Sequence, residues 1–108
     1  MQDNYAEVDS QTALENQLRA RDIVLVYFYT TSDPQCRKMG PILNSMTQRF
    51  NRNGFAKIRC DEYPHLAEQY GIQVVPTFMI FNRGVKVAQY LGSNDQMIQH
   101  MLERYSTV

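Results

Sequence analysis

The sequence contains few or none of some residues that are typical of particular protein classes: among its 108 residues are two cysteines and no tryptophan. Two cysteines cannot build the disulfide framework of a small secreted domain, so an intracellular, reducing compartment, the cytoplasm or the nucleus, is the default expectation. The N-terminal residues Met1–Asn4 lack the basic segment and apolar stretch of a secretory signal. No apolar run approaches the about 20 residues that span a bilayer. We therefore predict neither secretion nor a membrane partner.

An excess of charge is absent as well. Eleven Lys and Arg residues balance eleven Asp and Glu residues, and the basic ones are scattered along the sequence. Recognition of a phosphate backbone depends on clustered positive charge, so we predict no direct binding of nucleic acid. Apolar residues make up 44% of the chain and charged residues 20%, which is an ordinary globular composition. The length predicts a single domain over residues 1–108.

Runs of apolar, β-forming residues predict four strands. Ile23–Tyr29 is continuously apolar, which is typical of a central strand covered on both faces. Phe55–Cys60 predicts a second inner strand. Thr77–Phe81 and Val85–Leu91 flank the tight turn Asn82–Gly84 and predict a hairpin. The last two strands are therefore expected to be antiparallel neighbours.

Apolar residues at helical spacing, together with capping residues, predict four helices. Asp33 followed by Pro34 is a strong helix start, because Asp suits the N-cap and Pro suits the first helical position. The helix that follows contains Pro41, which is expected to kink it, and the segment Asn51–Gly54 is expected to terminate it. The other predicted helices are Ser10–Arg19, His65–Tyr70 and one capped by Ser93 or Asn94. The order of elements predicts an α/β fold with a mixed sheet and helices on both faces.

From about residue 10 to 105 the sequence resembles the thioredoxin superfamily. The matching segments keep the order and spacing of the family; they are Val24–Tyr29, Cys36–Leu43, Phe55–Ile58, Tyr70–Phe78 and Phe81–Val85. The resemblance implies the thioredoxin fold, a central mixed β-sheet flanked by helices on both faces. It also implies a cis proline at Pro76, beside the active site.

The resemblance fails at the residues that carry redox chemistry in this superfamily. Redox-active thioredoxins have Trp-Cys-Gly-Pro-Cys at the start of the long helix, where this chain has Ser32, Asp33, Pro34, Gln35 and Cys36. Cys36 matches the resolving cysteine, and Asp33 stands where the family has its nucleophilic cysteine. Because a carboxylate cannot form a disulfide, the matched site has no dithiol.

The same resemblance assigns the surrounding positions of the site. Tyr27 stands where the family has a buried aspartate, and Lys57 matches the lysine beside that aspartate. A buried tyrosine hydroxyl needs a hydrogen-bond partner, and Lys57 is the expected one. The expected rim of the peptide-binding groove comprises Tyr29, Ser32, Val75, Pro76 and Gly92.

Two interpretations of Asp33 are open: an ordinary helix cap, or a fixed negative charge that mimics the nucleophilic thiolate of the family. Its carboxylate opposes ionisation of Cys36, whereas the helix N-terminus favours it. We expect the carboxylate to prevail and the pKa of Cys36 to lie at or above the usual value of about 8.5. Cys36 is interpreted either as a partly buried structural cysteine or as a reactive, catalytic thiol.

These observations favour a redox-inactive or redox-atypical protein that binds a protein partner or peptide segment through the former active-site face. One alternative is a single-cysteine thiol–disulfide oxidoreductase, in which Cys36 reacts with a protein thiol or a small-molecule thiol such as glutathione. Another is a spliceosomal component, because Asp33–Met39 is similar to the D-P-x-C-x-K-M motif of the Dim family. No cofactor is predicted, and no metal, since Cys60, Asp61 and His65 lack a fourth ligand.

Overall fold

A five-stranded sheet organises the described part of the chain, residues 5–106 of this computed structural model. In chain order the elements are β1 (Ala6–Glu7), α1 (Gln11–Ala20), β2 (Ile23–Tyr29), α2 (Pro34–Arg49), β3 (Gly54–Arg59), α3 (Pro64–Gln69), β4 (Thr77–Asn82), β5 (Val85–Leu91) and α4 (Asp95–Tyr105). Met1–Asn4, where the sequence predicts no secretory signal, lie outside the described residues. Within 5–106, no helix is long and apolar enough to cross a membrane.

The strands follow the order β1-β3-β2-β4-β5 across the sheet. β3 is parallel to both β1 and β2, whereas β4 is antiparallel to both of its neighbours. In the register of the sheet, Tyr27 lies between Lys57 on β3 and Phe78 on β4. The parallel strands β2 and β3 therefore end at the same edge of the sheet, at Tyr29 and Arg59. The candidate functional site lies at this edge.

Helices cover both faces of the sheet. The α1–α3 cluster, on one face, contains Leu14 of α1 and Leu66 of α3. The α2–α4 cluster, on the other face, contains Leu43 of α2 and Leu102 of α4. Strand β2 supplies alternate residues to the two clusters: Val24, Val26 and Phe28 to the first, and Ile23, Leu25 and Tyr27 to the second. This alternation confirms the prediction of a central strand covered on both faces.

Helix α2 begins where the sequence predicts it. Asp33 is the N-cap, and its Oδ1 accepts hydrogen bonds from the backbone N–H groups of Gln35 (2.8 Å) and Cys36 (3.1 Å). Pro34 is the first residue of the helix, which continues through Pro41 without a break. The interpretation of Asp33 as a helix cap is confirmed. The cap fixes the first turn of α2, which carries Cys36.

The element boundaries differ from the predicted ones at several places. β1 was not predicted, because a two-residue strand carries no detectable hydrophobic pattern. β3 begins at Gly54 and ends at Arg59, so the prediction of Cys60 as a strand residue is wrong. α3 begins at Pro64 rather than at His65, in keeping with the preference of proline for the first helical position.

We predict that Asp33→Ala lowers the free energy of unfolding by about 1 kcal/mol, because two backbone N–H groups lose their acceptor. Asp33→Asn is expected to cost much less, since an amide oxygen can accept the same bonds, as Asn94 does at the N-cap of α4. Urea denaturation measures both values.

Ser10→Ala is the matched control, because Ser10 caps α1 and accepts a hydrogen bond from the backbone N–H of Ala13 at 3.1 Å. Its loss is expected to match that of Asp33→Ala, about 1 kcal/mol. An Asp33→Asn variant more stable than the parent by about that amount would contradict the view that the carboxylate serves the fold.

Candidate functional site

The candidate site is centred on the loop between β2 and α2 and on the first turn of α2. Ser32, Pro34 and Gln35 are exposed, and Asp33 is half-buried. Cys36 is only 4% exposed. The surface at the start of α2 is therefore formed by polar side chains and a proline, while the thiol is turned into the protein.

Burial raises the pKa of the Cys36 thiol, because a thiolate there would lose its hydration. The nearby polar groups of Thr30 and Tyr27 partly offset this rise. The Asp33 carboxylate also raises the pKa, but it contributes less than burial does. The predicted direction is thus confirmed, and its predicted cause is corrected: loss of solvent comes before charge repulsion.

The hydrogen-bond partner of the Tyr27 hydroxyl is not the one that the sequence predicts. The hydroxyl donates a hydrogen bond to the backbone carbonyl of Cys36, at 3.1 Å, so the expected pairing with Lys57 is wrong. The ring stacks between those of Tyr29 and Phe78, with centroids 5.1 and 4.9 Å away. Burial raises the pKa of Tyr27, which keeps the phenol protonated. Tyr27 therefore ties the central strand to the first turn of α2 and offers no carboxylate for proton transfer.

Lys57 belongs to a separate polar group that reaches β1. Its Nζ lies 3.4 Å from Oε1 of Glu7 and 5.8 Å from the ring centroids of Tyr5 and Tyr29. The Tyr29 hydroxyl donates to the same carboxylate oxygen at 3.1 Å. Sequence reasoning missed Glu7, because nothing in the sequence indicates that the short strand β1 lies beside this lysine.

A chain of hydrogen bonds joins the first turn of α2 to the loop before β4. The Ser93 hydroxyl donates to Oε1 of Gln35 at 3.0 Å. The backbone N–H of the preceding residue, Gly92, donates to the carbonyl of Pro76 at 3.1 Å. Three segments that are far apart in sequence therefore form one surface, which includes Gln35 of the motif and the predicted groove residues Pro76 and Gly92.

The loop before β4 supplies apolar surface. The Val75–Pro76 peptide bond is cis, as the resemblance implies. Pro76 is buried and Val75 is half-buried, whereas Val74 is 50% exposed. The Thr77 hydroxyl donates to the Val74 carbonyl at 2.6 Å and braces the loop. Sequence reasoning missed Val74, whose side chain is the more exposed of the two valines.

Gly92 cannot be replaced by a larger residue without a local shift. Its φ is +140°, and a Cβ at this position would lie 2.8 Å from the hydroxyl oxygen of Tyr90. That oxygen accepts a hydrogen bond from the backbone N–H of Asn94 at 3.2 Å, so it is held in place. The neighbouring Leu91 is 50% exposed and adds apolar area beside the groove.

The cysteines form no disulfide, since Cys36 and Cys60 are both free thiols. Cys60 packs with the α1–α3 cluster, and its pKa is raised to about 11 by burial and, to a smaller extent, by the nearby Cys36. Over residues 5–106, no group of three or more His, Cys, Asp or Glu side chains could hold a metal ion.

Comparison with known proteins assigns the family. The family model for thioredoxin matches residues 5–104. The chain belongs to the thioredoxin family. It is 34% identical over 89 residues to thioredoxin 1 of Nostoc sp., a match that covers 82% of this chain and 83% of that protein. It is 30% identical over 88 residues to thioredoxin-2 of Pyricularia oryzae, where the match covers 82% of this chain and 52% of the relative.

Solved structures agree with this family assignment. A mutant thioredoxin from Halobacterium salinarum superposes with a TM-score of 0.90 at 27% identity, covering 97% of this chain and 93% of that one. Plasmodium falciparum thioredoxin superposes with a TM-score of 0.87 at 25% identity, covering 93% and 98%. The predicted thioredoxin fold is thus confirmed. The likeness of Asp33–Met39 to the Dim family stays a prediction.

We predict that Cys36 is alkylated slowly by iodoacetamide near neutral pH and rapidly only in alkaline solution. A raised pKa leaves little thiolate at pH 7, and thiolate is the form that reacts. Rates measured by mass spectrometry against pH, in a Cys60→Ser background, give the pKa of Cys36.

Asp33→Asn separates the two causes of the raised pKa. Because burial contributes more than the carboxylate, this substitution is expected to lower the pKa of Cys36 only slightly. A pKa below about 7 in the parent protein would contradict the prediction and would favour a reactive thiol.

Proposed function

We propose that this protein is a thioredoxin-like binding protein that does not carry out dithiol–disulfide exchange. It binds a protein partner or peptide segment through the surface around Ser32, Asp33 and Gln35 and the loop that contains Val74–Pro76. The observation that carries the proposal is the pair of hydrogen bonds by which the Asp33 carboxylate caps α2, next to a buried thiol.

Thiol–disulfide exchange by a dithiol enzyme requires two thiols in the site, and this requirement supports the proposal. A thiolate attacks one sulfur of the substrate disulfide, a mixed disulfide forms, and the other substrate sulfur leaves as a thiolate. A second thiol of the enzyme must then attack the mixed disulfide to release the reduced substrate. Asp33 offers no sulfur, and burial raises the pKa of the other thiol, Cys60, to about 11. Cys36 and Cys60 are both free, and little Cys60 thiolate is present near neutral pH to resolve a mixed disulfide on Cys36.

The single-cysteine alternative is less favoured by the environment of Cys36. A monothiol enzyme needs an accessible thiolate near neutral pH. Cys36 is 4% exposed, and burial raises its pKa. Both properties support a structural thiol rather than a nucleophile.

The composition of the site supports a protein or peptide ligand. Val74 and Leu91 each expose half of their surface, and Ser32 and Gln35 add hydrogen-bonding groups beside them. A mixture of exposed apolar and neutral polar side chains suits an extended peptide segment. The two free thiols favour a reducing compartment. The alternative role as a spliceosomal component is supported only by the Asp33–Met39 motif.

We predict that the protein does not reduce insulin disulfides with dithiothreitol or with a thioredoxin reductase as electron donor. The precipitation of reduced insulin, followed by turbidity, is expected to proceed at the rate of the uncatalysed reaction. An ordinary thioredoxin serves as the positive control. Turnover at a rate comparable to that control would contradict the proposal.

The variant Asp33→Cys tests whether the missing sulfur is the main obstacle. It creates a Cys-Pro-Gln-Cys sequence at the start of α2. We expect partial activity only, because Tyr27 supplies no carboxylate for proton transfer and Ser32 replaces the family's tryptophan.

The partner face is tested with two matched valines. Val74→Asp places a charge beside the groove, whereas Val85→Asp does so at the start of β5, where the side chain is 65% exposed. In affinity capture with quantitative mass spectrometry, Val74→Asp is expected to lose the bound partner and Val85→Asp to retain it. Capture that survives Val74→Asp but is lost in Cys36→Ser would contradict the proposal in favour of a monothiol enzyme.

A further inference from the structure

Two depressions lie at the end of the sheet opposite Cys36, where β2 and β3 begin and β4 ends. The first, of about 440 Å³, is lined by the turn between α2 and β3 and includes Arg49, Phe50 and Arg52. The second, of about 360 Å³, lies between the end of α1 and the β4–β5 turn. Its three arginines are Arg19, Arg21 and Arg83. Five of the eleven basic residues of the chain therefore line one end of the molecule.

The two depressions are neighbours. The side chain of Arg21 passes over Gly54, where an added Cβ would lie 3.2 Å from its Cγ. Gly54 directly follows Asn53, which lines the first depression. The backbone N–H of Arg83 donates to the carbonyl of Asp22 at 2.7 Å and joins the β4–β5 turn to the start of β2. The five arginines therefore belong to one continuous surface, which we call the arginine end.

The positive charge exceeds the negative charge at this surface, because the five arginines share the two depressions with only three carboxylates. Arg49 pairs with Glu103 at 3.0 Å and lies over the ring of Phe50. Arg83 pairs with Asp22 at 3.7 Å, and both side chains are largely exposed, so this pair contributes little stability. In the part of the chain that the structure describes, the remaining three form no ion pair: Arg19, Arg21 and Arg52.

Helix ends account for only part of this cluster. Cations are favourable in the last turn of a helix, which explains Arg19 on α1 and Arg49 on α2. Arg52 and Arg83 lie in turns, where no helix end requires them. Arg83 and Gly84 form the two-residue turn between β4 and β5, and Arg83 has a φ of +51°. Asn-Gly is the preferred sequence in such a turn. The fold gains little from an arginine at position 83.

We propose that the arginine end binds an acidic segment of a partner protein. Guanidinium groups bind carboxylates with two parallel hydrogen bonds, and the half-buried Phe50 offers a contact for an apolar residue of the segment. Three carboxylates, Glu15, Asp22 and Glu103, also line the depressions. They disfavour a nucleic-acid backbone with its unbroken row of phosphates, whereas a peptide can place neutral or basic residues opposite them. This surface is separate from the one in the proposed function.

The probe is a fluorescein-labelled peptide of about ten residues, rich in Glu and carrying one central Leu, and fluorescence anisotropy reports its binding. The matched peptide has Gln in place of every Glu. We expect binding of the acidic peptide only, and weaker binding as salt is raised, because exposed ion pairs are screened. Equal binding of the two peptides would overturn the proposal.

The variant Arg52→Gln/Arg83→Asn locates the site on the protein. It is expected to weaken binding of the acidic peptide by about fivefold to tenfold, the effect of losing two exposed ion pairs. Arg37→Gln/Lys38→Gln is the control, since it removes the same charge from exposed positions on the first turns of α2. Binding that falls equally in both variants would overturn the proposal in favour of a non-specific effect of net charge.

Two further measurements complete the test. Arg83→Asn alone is expected to raise the midpoint of urea denaturation, because Asn tolerates a positive φ better than Arg. Loss of binding without loss of stability then assigns the effect to the arginine. A single-stranded oligodeoxythymidylate that binds more tightly than the acidic peptide would overturn the proposal and favour nucleic acid as the ligand.

Discussion

The burial of β2 on both faces is the constraint on which the rest of the structure depends. Six of its seven residues are buried, so the strand needs a strand on each side and a helical layer on each face. After the exposed Asp22, the chain does not return to the surface until β2 ends, at the half-buried Tyr29. The following loop and the start of α2 are thereby held at the edge of the sheet. The position of the site thus follows from the core, and the chemistry of its residues can vary without moving it.

The hydrogen bonds of Asp33 show how a carboxylate satisfies the N-terminus of α2 at the position of the family's nucleophilic cysteine. The N–H groups of Gln35 and Cys36 are the unpaired donors of a helix N-terminus, which stabilise negative charge near them. At a redox-active site such donors favour a thiolate. Here the Asp33 carboxylate accepts both hydrogen bonds. A carboxylate cannot be oxidised to a disulfide, so thiol oxidation cannot remove this cap.

Sequence reasoning succeeded where neighbouring residues or burial determine the structure. The apolar run of β2 and the Asp33–Pro34 helix start depend on adjacent residues, and both were predicted correctly. The partner of the Tyr27 hydroxyl was predicted wrongly, because it depends on how closely the first turn of α2 packs against the strand. Glu7 and Val74 were missed, since β1 is too short to have a pattern and the exposure of one valine over its neighbour depends on the path of a loop.

The difference between effects of neighbouring residues and effects of tertiary packing also explains the ionisation of Cys36 and the clustering of the arginines. The sequence places a carboxylate and a helix end near the thiol, and both are local effects, whereas the larger effect of burial depends on the assembled core. The arginines are scattered along the chain, and they meet because α1 and α2 end where β2 and β3 begin. Charge clustering of this kind is a property of topology, so a search for basic runs in the sequence does not find it.

The length of β2 keeps the two ends of the molecule electrostatically separate. Seven residues at about 3.3 Å each span roughly 23 Å, well over twice the Debye length of about 8 Å at physiological ionic strength. The arginine end therefore has little influence on the ionisation of Cys36, which is governed by its burial and its near neighbours. One end offers a partly apolar groove beside the Asp33 carboxylate, and the other offers unpaired guanidinium groups. The ligands proposed for the two ends do not compete with each other, because the two surfaces share no residue.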